Sequence, residues 1–351
     1  MYKKKWRLLS ICLAAAMLLA SCNTAEKQGD KKEDQKSKEL KIGITFDTFV
    51  LERWIRDREI FVNTAKKLGA QVDVQNANGD VKKQERQIRQ FIEEGVDTIV
   101  VIPVDCYTLS EVITQAREKV IDVISYDRLL QSTGADLYVT VDSGKVGRLM
   151  ADTMMEKLPD GGDVVLISGP KADTNSMDVL NGFKAEIEGS KLNIVSETNA
   201  KSWAPENGFQ AVTEAFQDIR EFDAVMCGND GLAGYAIKAL SERQMAGKVI
   251  VTGQDADLDA CQRIVEGTQT MTVYKPIEEL ARIAAECAVK LAKGESLVGD
   301  LIGRSEYKVN KNGDQVPYYG LDPVAVTADN MDEVIIDSGF HPRSDVYLNV
   351  E

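Results

Sequence analysis

From residue 39 onward, short β-branched apolar runs alternate with longer stretches of helical periodicity, and this alternation leaves very few possible folds. Residues 40–46 (LKIGITF) and 70–75 (AQVDVQ) read as strands. Between them, residues 52–68 place Ile55, Ile60, Phe61, Ala65 and Leu68 at roughly helical spacing, and Gly69 ends the run. Residues 81–94 set Ile88, Phe91 and Ile92 on one stripe before Gly95. Residues 97–104 (DTIVVIPV) are continuously apolar, as suits a strand covered on both faces. The cycle continues through helix 108–119, strands 120–126 and 137–142, helix 143–158, strand 163–168, helix 176–188, strand 192–197 and helix 205–219. Strand 224–228, helix 230–243, strand 248–253, helix 257–266, strand 270–274 and helix 277–293 complete it. Strand–helix–strand units with right-handed crossovers make an α/β fold of doubly wound parallel sheets. The strands are too many for one sheet of usual size, so two α/β lobes are expected.

Composition narrows the function. With 44% apolar residues in 351, the chain has enough material for packed cores. A formal charge of −14 argues against nucleic acid, whose phosphates need an excess of Lys and Arg. The only histidine is His341, which excludes His-pair and His-triad metal sites and disfavours a Ser-His-Asp triad.

The N-terminus reads as an export signal. Lys3, Lys4, Lys5 and Arg7 precede an apolar stretch, residues 8–20, too short for a comfortable membrane span. It ends in Leu19-Ala20-Ser21-Cys22, which resembles a bacterial lipobox with Cys22 as the lipidated residue. Loss of residues 1–22 removes four positive charges and no negative ones, taking −14 to −18. Residues 23–38 hold alternating charges and no large apolar side chain, as a flexible tether does. Cys12 lies in the signal; Cys106, Cys227, Cys261 and Cys287 have no C-x-x-C spacing, and their pairing stays open.

In open parallel sheets, ligands bind beyond the carboxyl ends of the strands. The residues there are Asp47, Pro103-Val104-Asp105, Asp127-Arg128, Asp142, Gly169-Pro170, Asn229-Asp230 and Gln254-Asp255. Carboxylates, amides and guanidinium groups can each span two neighbouring hydroxyls. Trp203, in a polar segment broken by Pro205, can offer a ring face to the C–H side of a sugar. The competing reading is that such Asp and Asn residues cap the following helices. Asp255, Asp257 and Asp259 with Glu266 partly match a calcium loop, but Ala260 stands where its turn needs glycine, so capping fits better. The glycine-rich stretch 228–234 lacks the lysine of a phosphate loop. Met150, Met154 and Met155, at helical spacing, read as core.

With these residues in view, the chain resembles the D-xylose-binding proteins of ABC sugar transporters, in the type I periplasmic binding protein superfamily. Segments 51–80 (LERWIRDREIFVNTAKKLGAQVDVQNANGD), 125–128 (SYDR), 253–258 (GQDADL) and 267–277 (GTQTMTVYKPI) carry the resemblance. It implies two lobes joined by three crossings, with a pyranose in the cleft between them. The implied boundaries are 39–140 plus 275–306 for one lobe and 141–274 plus 307–345 for the other. By the same resemblance Arg53, Arg128, Asn175, Asn229, Asp255 and Lys275 would hydrogen-bond the sugar. Trp203 would stack on it, and Trp54 would supply the opposite face. Thr174 departs from the family pattern, which shows two adjacent asparagines after the aspartate. No cofactor, metal or catalytic residue is implied. The implied role is a lipid-anchored, exported binding protein that hands D-xylose or a related pyranose to a permease. It would sit on the outer face of the cell membrane, or in the periplasm of a Gram-negative cell. A sensor that presents the sugar to a membrane kinase or chemoreceptor is the alternative. A glycosidase would need a carboxylate pair for which no motif speaks.

Overall fold

The computed structural model describes residues 39–297 and 307–350. The expected signal at 1–22, with Cys12 and the lipid-bearing Cys22, and the tether at 23–38 lie outside the described residues, as do residues 298–306.

The first lobe is built on a sheet of seven strands. Its parallel core is β1 (Leu40–Phe46), β2 (Ala70–Asn76), β3 (Thr98–Val101), β4 (Asp122–Tyr126) and β5 (Leu137–Val141), in the spatial order β2-β1-β3-β4-β5. Helices α1 (Glu52–Lys67), α2 (Val81–Glu94) and α3 (Ser110–Glu118) connect them. Alternation along each strand decides what each face covers. Ile42, Ile44 and Phe46 pack with Trp54 and Phe61 of α1, while Ile99 and Val101 pack with Ile88 and Phe91 of α2. All four residues of β3 are buried, as its continuous apolar run requires. Asp80 caps α2 by accepting from Lys83 N at 3.0 Å, and Gly95 ends it at φ 63°.

The second lobe repeats the plan on a smaller sheet. Strands β6 (Gly162–Ser168), β7 (Leu192–Asn199), β8 (Ala224–Cys227) and β9 (Ile250–Thr252) lie parallel in the order β7-β6-β8-β9. Val164 and Leu166 face α4 (Ser143–Lys157) and α5 (Thr174–Glu186). Val165 and Ile167 face α6 (Glu206–Asp218) and α7 (Asp230–Ser241). Met150 and Met154 are fully buried in the first of these layers. Helix α8 (Leu258–Val265) follows β9. Cys106, Cys227, Cys261 and Cys287 are free thiols, all buried.

The chain passes between the lobes at three places. The first is Asp142, between β5 and α4. The second is Lys275-Pro276, between β10 (Thr272–Tyr274) and α9 (Ile277–Ala292), which packs back on the first sheet. The third is Asp322-Pro323. Here the strand pairing corrects the expected boundary at 307. Strand β11 (Tyr307–Val309) pairs with β12 (Gln315–Leu321), and β12 adds in parallel to the open edge of β5 in the first sheet. Only β13 (Val324–Val326) joins the second lobe, antiparallel to β10. Asp142 N donates to Leu321 O at 3.0 Å and Lys145 Nζ meets Asp322 at 2.7 Å, tying two crossings together. A single turn at Asp332–Ile336 and the short helix α10 (Arg343–Val346) then cover α8. Among the described residues, no helix is long and apolar enough to cross a membrane.

Candidate functional site

Both sheets change winding direction beside their first strand, between β1 and β3 and between β6 and β8. At such a point the loops diverge and leave a crevice at the carboxyl ends. Seven of the eight predicted residues line one cavity there: Arg53, Trp54, Arg128, Asn175, Trp203, Asp255 and Lys275. Asn229 is buried beside it but does not line it. A more open groove of about 850 Å³ elsewhere, lined by Tyr107, Arg148 and Tyr318 among others, contains none of the eight.

Arg53 and Trp54 stand in the first turn of α1, just after β1. A cation at a helix N-terminus opposes the helix dipole, so Arg53 needs carboxylates nearby. It has three: Asp127 at 3.0 Å, Asp57 at 3.4 Å and Asp255 at 3.9 Å. Its guanidinium lies 4.2 Å above the Trp54 ring. Trp54 itself is core, packed with Phe46 and Tyr126, but its Nε1 has no partner.

Arg128 follows β4. Its Nη1 donates to Asp47 Oδ2 at 2.6 Å and to Pro103 O at 3.0 Å, and its Nε lies 2.6 Å from Asp173 Oδ2. From the second lobe, Asn175 Nδ2 donates to Asp127 O at 2.7 Å and to its Oδ2 at 3.1 Å. Trp203 Nε1 donates to Asp173 Oδ2 at 3.1 Å. Its indole lies over Gly169, where an added Cβ would come within 2.2 Å of Trp203 Cη2. Lys275, at the second crossing, is 2.6 Å from Asp255.

Capping and a free second atom coexist in single side chains at the strand ends, so the capping reading does not exclude the other. Asp173 Oδ1 caps α5 by accepting from Asn175 N and Ser176 N, which leaves Oδ2 to face Arg128 and Trp203. Asn229 Oδ1 caps α7 by accepting from Leu232 N at 2.9 Å, which leaves Nδ2 unpartnered. Asp142 caps α4, holding Lys145 N at 2.9 Å, with its Oδ2 3.6 Å from Arg148 Nη2, and Asp105 Oδ1 accepts from Tyr107 N; neither residue lines the cavity. Asp257, expected to cap α8, makes no side-chain cap bond; its N–H donates instead to Asp230 Oδ2.

Burying so many charges is expensive, and opposite charges at contact distance offset that cost. The balance differs by residue. Burial pushes the Asp57 carboxyl up to about 6, and Arg53 only partly opposes it. Burial also acts on Asp127, but Arg53, Lys275 and Arg128 together outweigh it and hold Asp127 below the usual carboxylate range. Asp57 accepts from the Tyr126 hydroxyl in a short contact at Oδ1, and its Oδ2 has no partner. Asp57 is four residues beyond Arg53, the spacing of a helical ion pair, which is the sequence signal that could have found it. Ser176, whose buried hydroxyl lacks any partner and which lines the cavity, gave no such signal.

Such a site offers planar hydrogen-bonding groups from both lobes beside an aromatic ring. Residues 42–296 match the family model described as a periplasmic binding protein domain. The D-xylose-binding periplasmic protein of Haemophilus influenzae is 42% identical over 319 residues, covering 89% of this chain and 93% of that protein. The protein of the same name in Escherichia coli (strain K12) is 39% identical over 315 residues, covering 88% and 93%. The crystal structure of an ABC transporter solute-binding protein from Clostridium phytofermentans, with β-D-glucose bound, superposes with a TM-score of 0.78 at 27% identity, covering 87% of this chain and 99% of that one. A model match across most of the folded chain, and two relatives aligned over nearly their full length, show that the chain belongs to the periplasmic binding proteins of the type I superfamily, as a solute-binding protein and not an enzyme.

Proposed function

We propose that this protein captures D-xylose, or a closely related pyranose, between its lobes and delivers it to an ABC permease. The observation that carries the reading is a set of buried polar atoms without partners around one cavity: Arg53 Nε, Trp54 Nε1 and Ser176 Oγ. Buried polar groups normally find partners, and a sugar hydroxyl supplies them. Arg53, Trp54, Arg128, Asn175, Trp203, Asp255 and Lys275 make the contacts, with the Trp203 indole against one ring face. Asn229 adds its free amide.

The free space in the cavity is about 20 Å³, roughly what one water needs. A pyranose therefore enters only when the lobes part, and its hydroxyls take over from charge contacts that now span the cleft. The three crossings at Asp142, Lys275-Pro276 and Asp322-Pro323 serve as the hinge, with 39–141, 277–297 and 307–321 moving against 143–274 and 324–345. Sugar that contacts both lobes stabilises the closed form by its differential affinity. A signal at 1–22 exports the chain, lipid on Cys22 anchors it outside the membrane, and residues 23–38 give it reach.

Titration calorimetry with D-xylose, D-glucose, D-ribose and L-arabinose tests this. Heat with D-xylose, reduced sharply in Trp203→Ala and Asp255→Ala, is the expected result. No heat with any of the four would overturn it.

A further inference from the structure

Asp255 and Ala256 have φ values of 100° and 53°, two successive non-glycine residues in left-handed backbone. Side chains rarely adopt that region, and it persists only where the surroundings impose it. Here the turn aims the Asp255 carboxylate at Lys275 and Arg53. Its hydrogen bonds come from two directions. Asp255 N donates to Val273 O at 2.9 Å, and Ala256 N donates to Thr272 Oγ1 at 3.1 Å, both on the adjacent strand β10. On the other side, Ala256 O takes a hydrogen bond from His341 Nε2 at 2.9 Å, with a weak contact from Cys261 Sγ at 3.6 Å. A carbonyl oxygen only accepts, so His341 carries its proton on Nε2.

His341 is itself fixed in place. Its neighbour Phe340 packs edge-on against it at 4.7 Å and against Tyr274 at 5.0 Å. Tyr274 directly precedes Lys275. Arg56 lies 4.1 Å over the Phe340 ring and donates to Phe340 O at 2.8 Å. It sits three residues beyond Arg53 on α1. The segment around residues 340–341 thus touches the backbone behind Asp255, the residue before Lys275, and the helix that bears Arg53.

We propose that the single histidine of this protein is a positioning residue for its ligand site. Through the Ala256 carbonyl, His341 holds the left-handed turn that presents Asp255. The inference rests on Asp255 being a sugar contact.

In the full chain, His341→Ala should lower D-xylose affinity tenfold or more by calorimetry. Ala256→Gly on that background should restore most of the loss, because glycine takes positive φ without strain. His341→Gln, which keeps a donor, should lose less than His341→Ala, and it carries the same cycle if the alanine variant does not fold. The pair is also read without ligand, by urea unfolding of the free protein. There Ala256→Gly should be more favourable in the His341→Ala background than in wild type. A histidine that merely fills space would give additive effects and no rescue of affinity. Unchanged affinity in a folded His341→Ala, or additivity in both measurements, overturns the inference. If wild type binds none of the sugars, the cleft reading fails while the unfolding cycle still decides the role of His341.

Discussion

Arg128 Nε and Asp173 Oδ2 stand 2.6 Å apart across the cleft, both side chains about 3% exposed, one from each lobe. Asp173 also caps α5 and receives the Trp203 indole N–H. One carboxylate thus fixes a helix start, a guanidinium and an aromatic ring. Few single residues could couple the second lobe's geometry so directly to the first.

Asp173→Asn separates those roles. Asparagine caps as well as aspartate does, so α5 should start normally. Arg128 keeps Asp47 but loses a counter-charge, and we expect a stability loss of roughly 1–3 kcal/mol, the range for a disturbed buried polar contact. D-xylose affinity should fall at least tenfold. Unchanged affinity in a folded variant would remove Asp173 from the site.

Gly169 should be as necessary as the proposed sugar contacts. It has no side chain, so the Trp203 indole can lie on its backbone, where a Cβ would stand 2.2 Å from Cη2. Gly169→Ala must push the ring aside. We expect it to weaken sugar binding tenfold or more, and to add little when Trp203→Ala is already present. Calorimetry on the two single variants and the double decides this. Additive losses would mean that Gly169 acts by another route.

Much of this was legible in the sequence because parallel sheets write themselves plainly. Each β–α unit through α9 appears where periodicity places it, from LKIGITF at 40–46 to the helix at 277. What was not legible lies after residue 306. Strand β12 (QVPYYGL) contains Pro317, alternates weakly, and pairs with β5, far away in the chain. Nothing local marks it as a strand of the first sheet. At the site, the strand-end rule finds Asp47, Asp127 and Arg128, and resemblance finds Arg53, Asn175 and Lys275. Neither shows that Asp173 divides its two oxygens between capping and the cleft, or that Asn229 caps with its oxygen and leaves its amide nitrogen unpartnered. That division depends on side-chain rotation and on partners from another lobe.

Asp57 should make stability depend on pH. Burial raises its carboxyl to about 6 in the folded protein, against an ordinary value of 3.8. A carboxyl whose pKa is raised by folding holds its proton more tightly in the folded state, so protonation stabilises the fold. That contribution is complete below the ordinary value and is lost as pH rises through about 6. Over that window wild type should lose up to about 1.4 kcal/mol per pH unit relative to Asp57→Asn, which cannot titrate. Urea unfolding of both proteins at intervals between pH 4 and 8 measures the difference. Parallel curves would mean that Asp57 stays ionised in the fold.

Ser176 carries the prediction that bears most directly on which hydroxyls the site reads. Its Oγ is buried and unpartnered in the first turn of α5, beside Asn175, and it lines the cavity. Serine near a helix start usually finds a backbone partner, and this one has none. Ser176→Ala should leave stability unchanged or slightly higher, because it deletes a hydroxyl that the folded protein does not satisfy. If that hydroxyl meets the sugar, D-xylose affinity should fall about fivefold, as a neutral hydrogen bond of ~1 kcal/mol implies. The monodeoxy analogue that lacks the matching hydroxyl should bind both proteins equally, while the other analogues lose affinity in the variant. Calorimetry with D-xylose and its monodeoxy derivatives on both proteins identifies the pairing. An equal loss for every analogue, or no loss with any, would place Ser176 outside the contact set and leave Arg53 and Trp54 as the groups that wait for a ligand.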